Sequence, residues 1–498
     1  MALSNKHPLY ADHLAAWQQM RDCYAGEAAV KAAGFAYLPA TPGQVEDGIV
    51  ATNQKGWIVY SAYRKRARVP DAVREAVDAF MGVLHRKPAS ITLPAALEPL
   101  RERATLRGES LELLLRKVNE EQLIVGRIGI LGDVVDEGPQ AGSVYLVTYT
   151  AERILNWDEG SRSLEPAALN LVVLDESEQE RQADFSWRAV TKYRVLVLGD
   201  PETNEPEGAA IYRAGTFRET ETFDAGQLVV PSLKGRTLSR IPFAIANPKD
   251  VTAAPDRPPL LGLADLVLAI YRGEADYRQS LFMQGQATLV TVGASLESAT
   301  TRVGAGAELA LPQGGDAKFI VAPSDGISEQ REALENDYRH ASVRGGELVD
   351  ATSRQKESGE ALRVRVAART TTLVTVAKAV AFALEQVLKA AAEWVGANPD
   401  EVEVVPHLDF VDDPMAGKEL GEVMTAKSIG APLSLRSVHA QMRMRGMTEL
   451  TYEEELAEIE REAEAVAMLG TPESSAEDGP EEDEEEGGDA EDAEGDEE

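Results

Sequence analysis

The stretch SGEALRVRVAARTTTLVTVAKAVAFALEQVLKAAAEWVG, Ser358 to Gly396, decides the fold. Leu362, Val366, Leu373, Val376, Val380, Leu384, Val387 and Trp394 recur along it at near-helical spacing, with no proline between them. The spacing predicts one helix of roughly 35 residues, about 50 Å long at ~1.5 Å per residue. A helix this long exceeds the globular mean of about 11–12 residues and implies an architectural part, not the wall of a catalytic pocket.

Upstream, Leu263, Leu266 or Val267, Ile270, Tyr277 and Leu281 share one side of a helix predicted over 260–283. Asp265, Arg272, Asp276 and Gln279 lie toward another side. Thr288 to Val292 and Lys318 to Val321 read as strands, joined by a small-residue stretch from Ala299 to Gly315. Ile327, Leu334, Tyr338 and Ala341 mark a second helix over 326–344, with Glu329, Glu332, Glu335, Asp337 and Arg339 on its polar remainder. Gly345 and Gly346 end that helix, and a polar loop from Asp350 to Lys356 leads into the long one. The order is helix, small β module, helix, loop, long helix.

Helices are also expected over His7 to Asp22, from Pro70 to near Pro88, and after Gly108. Asn53 to Arg66 is rich in aromatic and basic residues. Six short runs then change the period to two and predict antiparallel strands: 126–133, 144–150, 170–174, 193–198, 209–213 and 227–230. Ile241 to Pro248 and the prolines Pro255, Pro258 and Pro259 read as an extended link. Glu401 to Val405 is a further strand candidate, and Ala416 to Leu469 gives helices broken near Gly430, Pro432 and Gly446. The fold class is α+β.

With 498 residues, 44% of them apolar, the chain is long enough for two to four domains. The single cysteine, Cys23, excludes an internal disulfide and a thiol metal cluster, which fits a reducing compartment. The opening residues lack the apolar core of a signal peptide. The most apolar helix segment, Leu373 to Leu384, spans roughly 12 residues with Lys378 inside it, so neither secretion nor membrane insertion is expected. The net charge is −34. Part of it sits in Glu473 to Glu498, a run of acids with Gly and Ala as its main filler, read as disordered because it has nothing apolar to bury. The remaining body is still acidic. It repels duplex DNA, which carries one negative charge per about 1.7 Å of axis, and this opposes a repressor or nuclease.

Catalytic and metal motifs fail on spacing. Gly126, Gly129 and Gly132 form G-x-x-G-x-x-G and Asp133 continues as strand, so they belong to a hairpin and not to a dinucleotide fingerprint. Lys234 to Thr237 lacks the upstream glycines of a phosphate loop, and Ser295 lacks the second glycine of a nucleophile elbow. The six histidines, His7, His13, His85, His340, His407 and His439, form no close ligand pair. Asp409, Asp412 and Asp413 make a carboxylate cluster suited either to a helix N-cap before Pro414 or to Mg²⁺ in a metal-dependent enzyme. Ser353, Arg354, Gln355 and Lys356 are the best local candidates for touching phosphates without reading bases; a solvated connection is the other reading. Arg363, Arg365 and Arg369 spread over more than one helical face, where acidic residues of a neighbouring subunit could pair with them.

Ser358, Gly359, Glu360, Ala361 and Leu362 resemble the Ser-Gly-x-Ala-Leu opening of the long helix in portal proteins of tailed bacteriophages. Ser can cap, Gly permits close approach, and Glu suits the positive helix terminus. Gly126 to Asp133, Ile241-Pro242-Phe243 and Leu408-Asp409-Phe410 resemble further elements of that family, in the same order, over about His7 to Leu469. The resemblance implies a portal-like fold. Residues 1–125 would be the helical part of a wing, 126–259 its β-rich part, 260–283 and 326–344 two stem helices, and 284–325 a small α/β clip. A tunnel loop would span 345–357, the long helix 358–396, the wing return and helical crown 397–469, and the acidic tail 470–498.

It implies a homo-oligomeric ring, usually of twelve subunits, at one capsid vertex of the virion, assembled in the host cytoplasm. Double-stranded DNA would pass through it, moved by a separate terminase large subunit. The major capsid protein or scaffold and a head–tail adaptor would be the other partners. Neither cofactor, metal nor catalysis is implied, and no membrane. The alternative is another virion structural part, an adaptor or scaffold-associated protein.

Overall fold

The structure, a computed structural model, describes residues 3–135, 141–159, 169–199, 211–221, 223–284, 288–292, 314, 316–320, 325–345, 359–408, 417–444, 448 and 450–468. The chain divides into two compact units, Met1–Phe410 and Val411–Glu498.

The first unit opens with helices Pro8–Ala25 (α1), Glu27–Ala32 (α2), Pro42–Glu46 (α3), Lys55–Arg66 (α4) and Ala72–Leu84 (α5). Strand Ser90–Thr92 (β1) and helix Leu111–Ile124 (α6) follow. Then come strands Ile128–Val134 (β2), Val144–Thr150 (β3), Ile154–Glu159 (β4), Leu169–Asp175 (β5), Glu178–Arg181 (β6), Trp187–Val190 (β7), Lys192–Leu198 (β8), Tyr212–Arg218 (β9) and Phe243–Ala246 (β10). Helix Leu261–Gln284 (α7), strands Thr288–Val292 (β11) and Asp316–Ile320 (β12), helix Asp325–Gly345 (α8), helix Gly359–Val395 (α9) and strand Glu403–Val405 (β13) complete it.

Local chemistry explains the helix ends. Leu9 N donates to His7 Nδ1 at 3.2 Å, with Pro8 at the first helical position of α1. Ser110 Oγ accepts from Leu113 N at the start of α6. Gly126, at φ +77°, turns the chain out of α6 into β2.

Every strand pair among the described residues is antiparallel. One sheet has the order β10-β2-β3 and another β4-β5-β8-β9; β1-β13, β6-β7 and β11-β12 are two-stranded. The Gly126–Gly132 run is the hairpin strand expected from sequence, and two of its glycines are packing sites. A Cβ on Gly129 would stand 2.2 Å from Phe243 Cζ of the paired strand, and one on Gly132 would meet Val387 of α9 at 3.1 Å. The long helix therefore lies directly on β2.

A single apolar core joins these layers, including Trp17 of α1, Ile130 of β2, Leu196 of β8, Tyr271 of α7 and Val380 and Trp394 of α9. Between the sheets, Arg194 of β8 bonds to Asp133 of β2 and reaches Glu176 at 3.4 Å. Tyr149 Oη donates to Glu176 at 2.6 Å and Tyr145 Oη to Asp133 at 2.9 Å. Burial alone would lower the Arg194 pKa, but Asp133, Tyr149 and Glu176 outweigh it and hold the guanidinium charged.

Several sequence expectations are corrected. Ile241 to Pro248 is not merely a link, because Phe243–Ala246 pairs with Ile128–Leu131 across more than a hundred residues. Of 227–230 only Val229 makes a bridge, to Ala214, and Ala225–Gln227 is a 3₁₀ turn held by Asp224. The strand expected over 209–213 lies at Tyr212–Arg218, where it matches β8. β4, the β6-β7 hairpin and β1 were not foreseen. Leu281, expected inward, is 42% exposed. Finally, Thr371–Val395 is long and apolar enough to cross a membrane, contrary to the shorter stretch read from sequence. Its apolar face is used by the core, where Leu373, Val376, Val380, Leu384 and Leu388 are buried.

The second unit holds helices Gly417–Ser428 (α10), Leu435–Met444 (α11) and Tyr452–Met468 (α12). Val438 and His439 are buried among its described residues. The acidic run read as disordered, 473–498, and Asp409, Asp412 and Asp413 lie outside the described residues.

Candidate functional site

The candidate is the pair α7 and α8, with the β11-β12 hairpin between them in sequence and α9 following. α7 starts where two prolines stop any earlier helix: Leu261 N donates to the carbonyl of Pro258 at 3.2 Å. As far as Ala275 it buries Leu263, Ala264, Val267, Leu268, Ile270, Tyr271 and Ala275 against α1, α4 and α5. Its polar face is tied down as well. Gln19 Nε2 donates to Asp265 at 2.7 Å, Tyr63 Oη to Asp276 at 2.5 Å, and Arg66 Nη1 to Gln279 at 2.7 Å.

Gly273 sets how closely α8 approaches. A Cβ there would stand 2.9 Å from Leu334 Cδ2, so only glycine admits Leu334 at its present depth. The next residue, Glu274, is 6% exposed, bonded by Arg278 and accepting from Tyr338 Oη of α8 at 3.1 Å. Burial, then the neighbouring Glu274 carboxylate, pushes the Tyr338 hydroxyl up to about 12. At the other end, Arg344 Nη1 of α8 donates to the carbonyl of Gly262 at 3.1 Å. The two helices are thus antiparallel and joined at base and middle.

Burial falls along the pair. In α8, Leu334, Ala341 and Gly345 are buried, while Glu329, Glu332, Glu335, Arg339 and Val343 are exposed. At the far end of α7, Leu281, Phe282 and Met283 are all exposed, with the Arg66 guanidinium 3.6 Å from the Phe282 ring centroid. A groove of about 450 Å³ runs beside them, lined by Gln44, Tyr63, Asp276, Gln279 and Gln330 among others. In contrast, α9 from Thr371 onward is locked into the core. Val404 N donates to Glu385 at 3.1 Å, which ties β13 to the helix.

Of the site residues read from sequence, Ser353, Arg354, Gln355, Lys356 and Ser358 lie outside the described residues. Gly359, Glu360, Ala361 and Leu362 form the first turn of α9, whose side chains, like those of Arg363, Arg365 and Arg369, are also outside them. The clip range retains β11 and β12; the small-residue stretch between them, Ser295 included, is mostly outside. No group of three or more His, Cys, Asp or Glu able to hold a metal ion occurs among the described residues. Sequence reading missed Gly273 and the buried Glu274, whose partners come from α8. It also missed the face of α11 carrying Arg436, His439 and Arg443, although the i, i+3, i+7 spacing was visible.

A family described as a domain of unknown function, DUF4055, matches residues 259–395. That span starts two residues before α7 and ends with the last residue of α9. No curated protein matches the chain. Among solved structures, a chain in the neck of a native GTA particle computed with C12 symmetry is similar at 14% identity and a TM-score of 0.37, covering 74% of this chain and 89% of that one. A chain in the neck of an empty GTA particle computed with C6 symmetry is similar at 13% identity and a TM-score of 0.35, covering 81% and 93%.

Proposed function

We propose that this chain is a portal-type subunit, a wall segment of a ring-shaped channel through which double-stranded DNA passes at one vertex of a virion. The carrying observation is the built order α7, β11-β12, α8, α9, in which a helix pair has its base in the core and its tip uncovered. The match of one family to 259–395 supports treating that order as a single module. Leu281, Phe282 and Met283 at the tip and the charged outer face of α8 are two different uncovered surfaces. A closed ring needs two such unlike patches, because its contacts are head-to-tail.

The acidic body suits the same role. A wall of net negative charge keeps DNA mobile, while a few cations such as Arg354 and Lys356 supply brief, sequence-independent holds. The subunit itself performs no catalysis in this reading; a terminase moves the DNA, and capsid or scaffold and an adaptor bind the outside of the ring.

Electron microscopy of the purified full chain tests it. The expected image is a closed ring with a central opening as wide as duplex DNA. Monomers or open filaments at every concentration would sink the proposal, and closed assemblies without such an opening would favour an adaptor instead.

A further inference from the structure

One hairpin of the first unit stands clear of the body. β6 and β7 pair only with each other, and no residue of either strand is buried. A two-stranded hairpin with both faces uncovered is marginal by itself. Its end nevertheless carries two large aromatic side chains turned to solvent, Phe185 at 76% exposure and Trp187 at 65%.

The turn between the strands is built to hold these rings out. Gln182 N donates to the Ser186 carbonyl at 2.8 Å, and Phe185 N to the Gln182 carbonyl at 3.1 Å. Ser186 N and Oγ both donate to Asp184 Oδ1, at 3.0 and 2.6 Å. Phe185 itself sits at φ +66°, a left-handed backbone that glycine or asparagine adopts with less strain. The turn has no local use for a bulky ring at that position, which points to a use outside the subunit.

A receiving surface lies on the same unit. The groove of about 450 Å³ beside the α7 tip is walled by α3, α4, α7 and α8, with Val59 and Tyr63 on one side and Gln330 on another. Exposed Ile58, next to Val59, and exposed Leu281, next to Ser280 of the groove, extend its apolar edge. Charge selects this groove over a larger cleft of about 720 Å³ beside Leu106. The hairpin end carries Arg181 and Arg188 against the single acid Asp184. Arg103, Arg107 and Lys234 line the cleft and would repel it, whereas Asp47 and Asp276 line the groove. Lys55 pairs with Asp47 at 3.2 Å, but Asp276 and the exposed Glu329 beside Gln330 have no cation partner among the described residues.

We propose that the β6-β7 hairpin of one subunit inserts Phe185 and Trp187 into the α4–α8 groove of a second copy of this chain. Both rings are exposed, so they do not occupy the groove of their own subunit. The inference rests on the ring reading, in which every contact joins two unlike surfaces of one chain. Aromatic side chains seated in a partner's pocket carry much of an interface's affinity. Asp47, Asp276 and Gln330 offer acceptors for the indole N–H of Trp187, which needs one once it is buried.

Cross-linking of the full-length protein tests the insertion. The native thiol, Cys23, is buried and its pKa is pushed up to about 12, so it does not compete for reagent. A chain carrying both Ala183→Cys and Ser280→Cys, treated with a short bismaleimide, should give a ladder of linked subunits; either single variant should not. Phe185→Asn with Trp187→Thr keeps the backbone preferences of turn and strand and disturbs no buried residue. That variant should keep its secondary structure, while the protein concentration for half-assembly rises about ten-fold or more. Rings that form in that variant at the wild-type concentration, or a cysteine pair that gives no ladder from assembled rings, overturn the inference and leave the ring reading standing. Wild-type protein that stays monomeric at every concentration overturns both.

Discussion

α8 and the described part of α9 are neighbouring long helices with opposite surroundings. From Thr371 on, α9 turns Val376, Val380, Leu384, Val387 and Trp394 into a core shared with both larger sheets. α8 buries Leu334, Ala341 and Gly345, and shows Glu329, Glu332 and Glu335 to solvent. Helical periodicity is present in both. What differs is the width of the apolar stripe, which in α9 wraps far around the helix and in α8 is a single narrow seam. The chain's own core therefore fixes α9, whereas α8 is held along that seam and presents the rest.

The largest test of this contrast is Leu384→Ala. Leu384 is fully buried on α9, so the change should cost about 2–5 kcal/mol in urea unfolding, from lost burial and the cavity left behind. A cost below about 0.5 kcal/mol would mean that α9 is not part of the folding core. Next comes Gly273→Val, which overfills the α7–α8 seam against Leu334. A loss of about 1–3 kcal/mol is expected. Adding Leu334→Ala should recover part of that loss; strictly additive costs would show that the two residues do not meet.

The smallest expected effect is on Tyr338. Replacing it with Phe removes its bond to Glu274 and should cost about 0.5–1.5 kcal/mol. The same pair gives a pH signature. The folded hydroxyl is raised from its ordinary 10.0 to about 12, so its contribution is whole below pH 10 and is lost as pH rises toward 12. Wild-type stability should therefore fall more steeply than that of Tyr338→Phe over this window. Parallel curves would deny Tyr338 its role in the seam.

Much of this architecture was legible because it is written in local periodicity. The helices over 260–283, 326–344 and 358–396 were readable to within one or two residues, since each carries its own apolar stripe and its own stop signal. β10 was not, because Ile241-Pro242-Phe243 becomes a strand only by pairing with β2. β1, three residues long, was not either, because it exists through its pairing with β13, 315 residues away at Ser90 and Val405. Leu281 matched the inward spacing of α7 and yet lies outside, because the body that covers α7 ends before its last turn. Gly273 carries no local signal of its role, which comes from Leu334 of α8 packed against it.

The sequence by itself determined the long helices over 260–283, 326–344 and 358–396 and where they stop, the acidic balance and the lack of a thiol or histidine cluster. These follow from properties within a few residues of one another. Only the tertiary structure decided that α9 lies on Gly132, that Glu274 is buried beneath Tyr338, and that Arg436, His439 and Arg443 face the first turn of α12. Such facts depend on residues brought together from distant parts of the chain, where packing selects the partner and no local pattern specifies it.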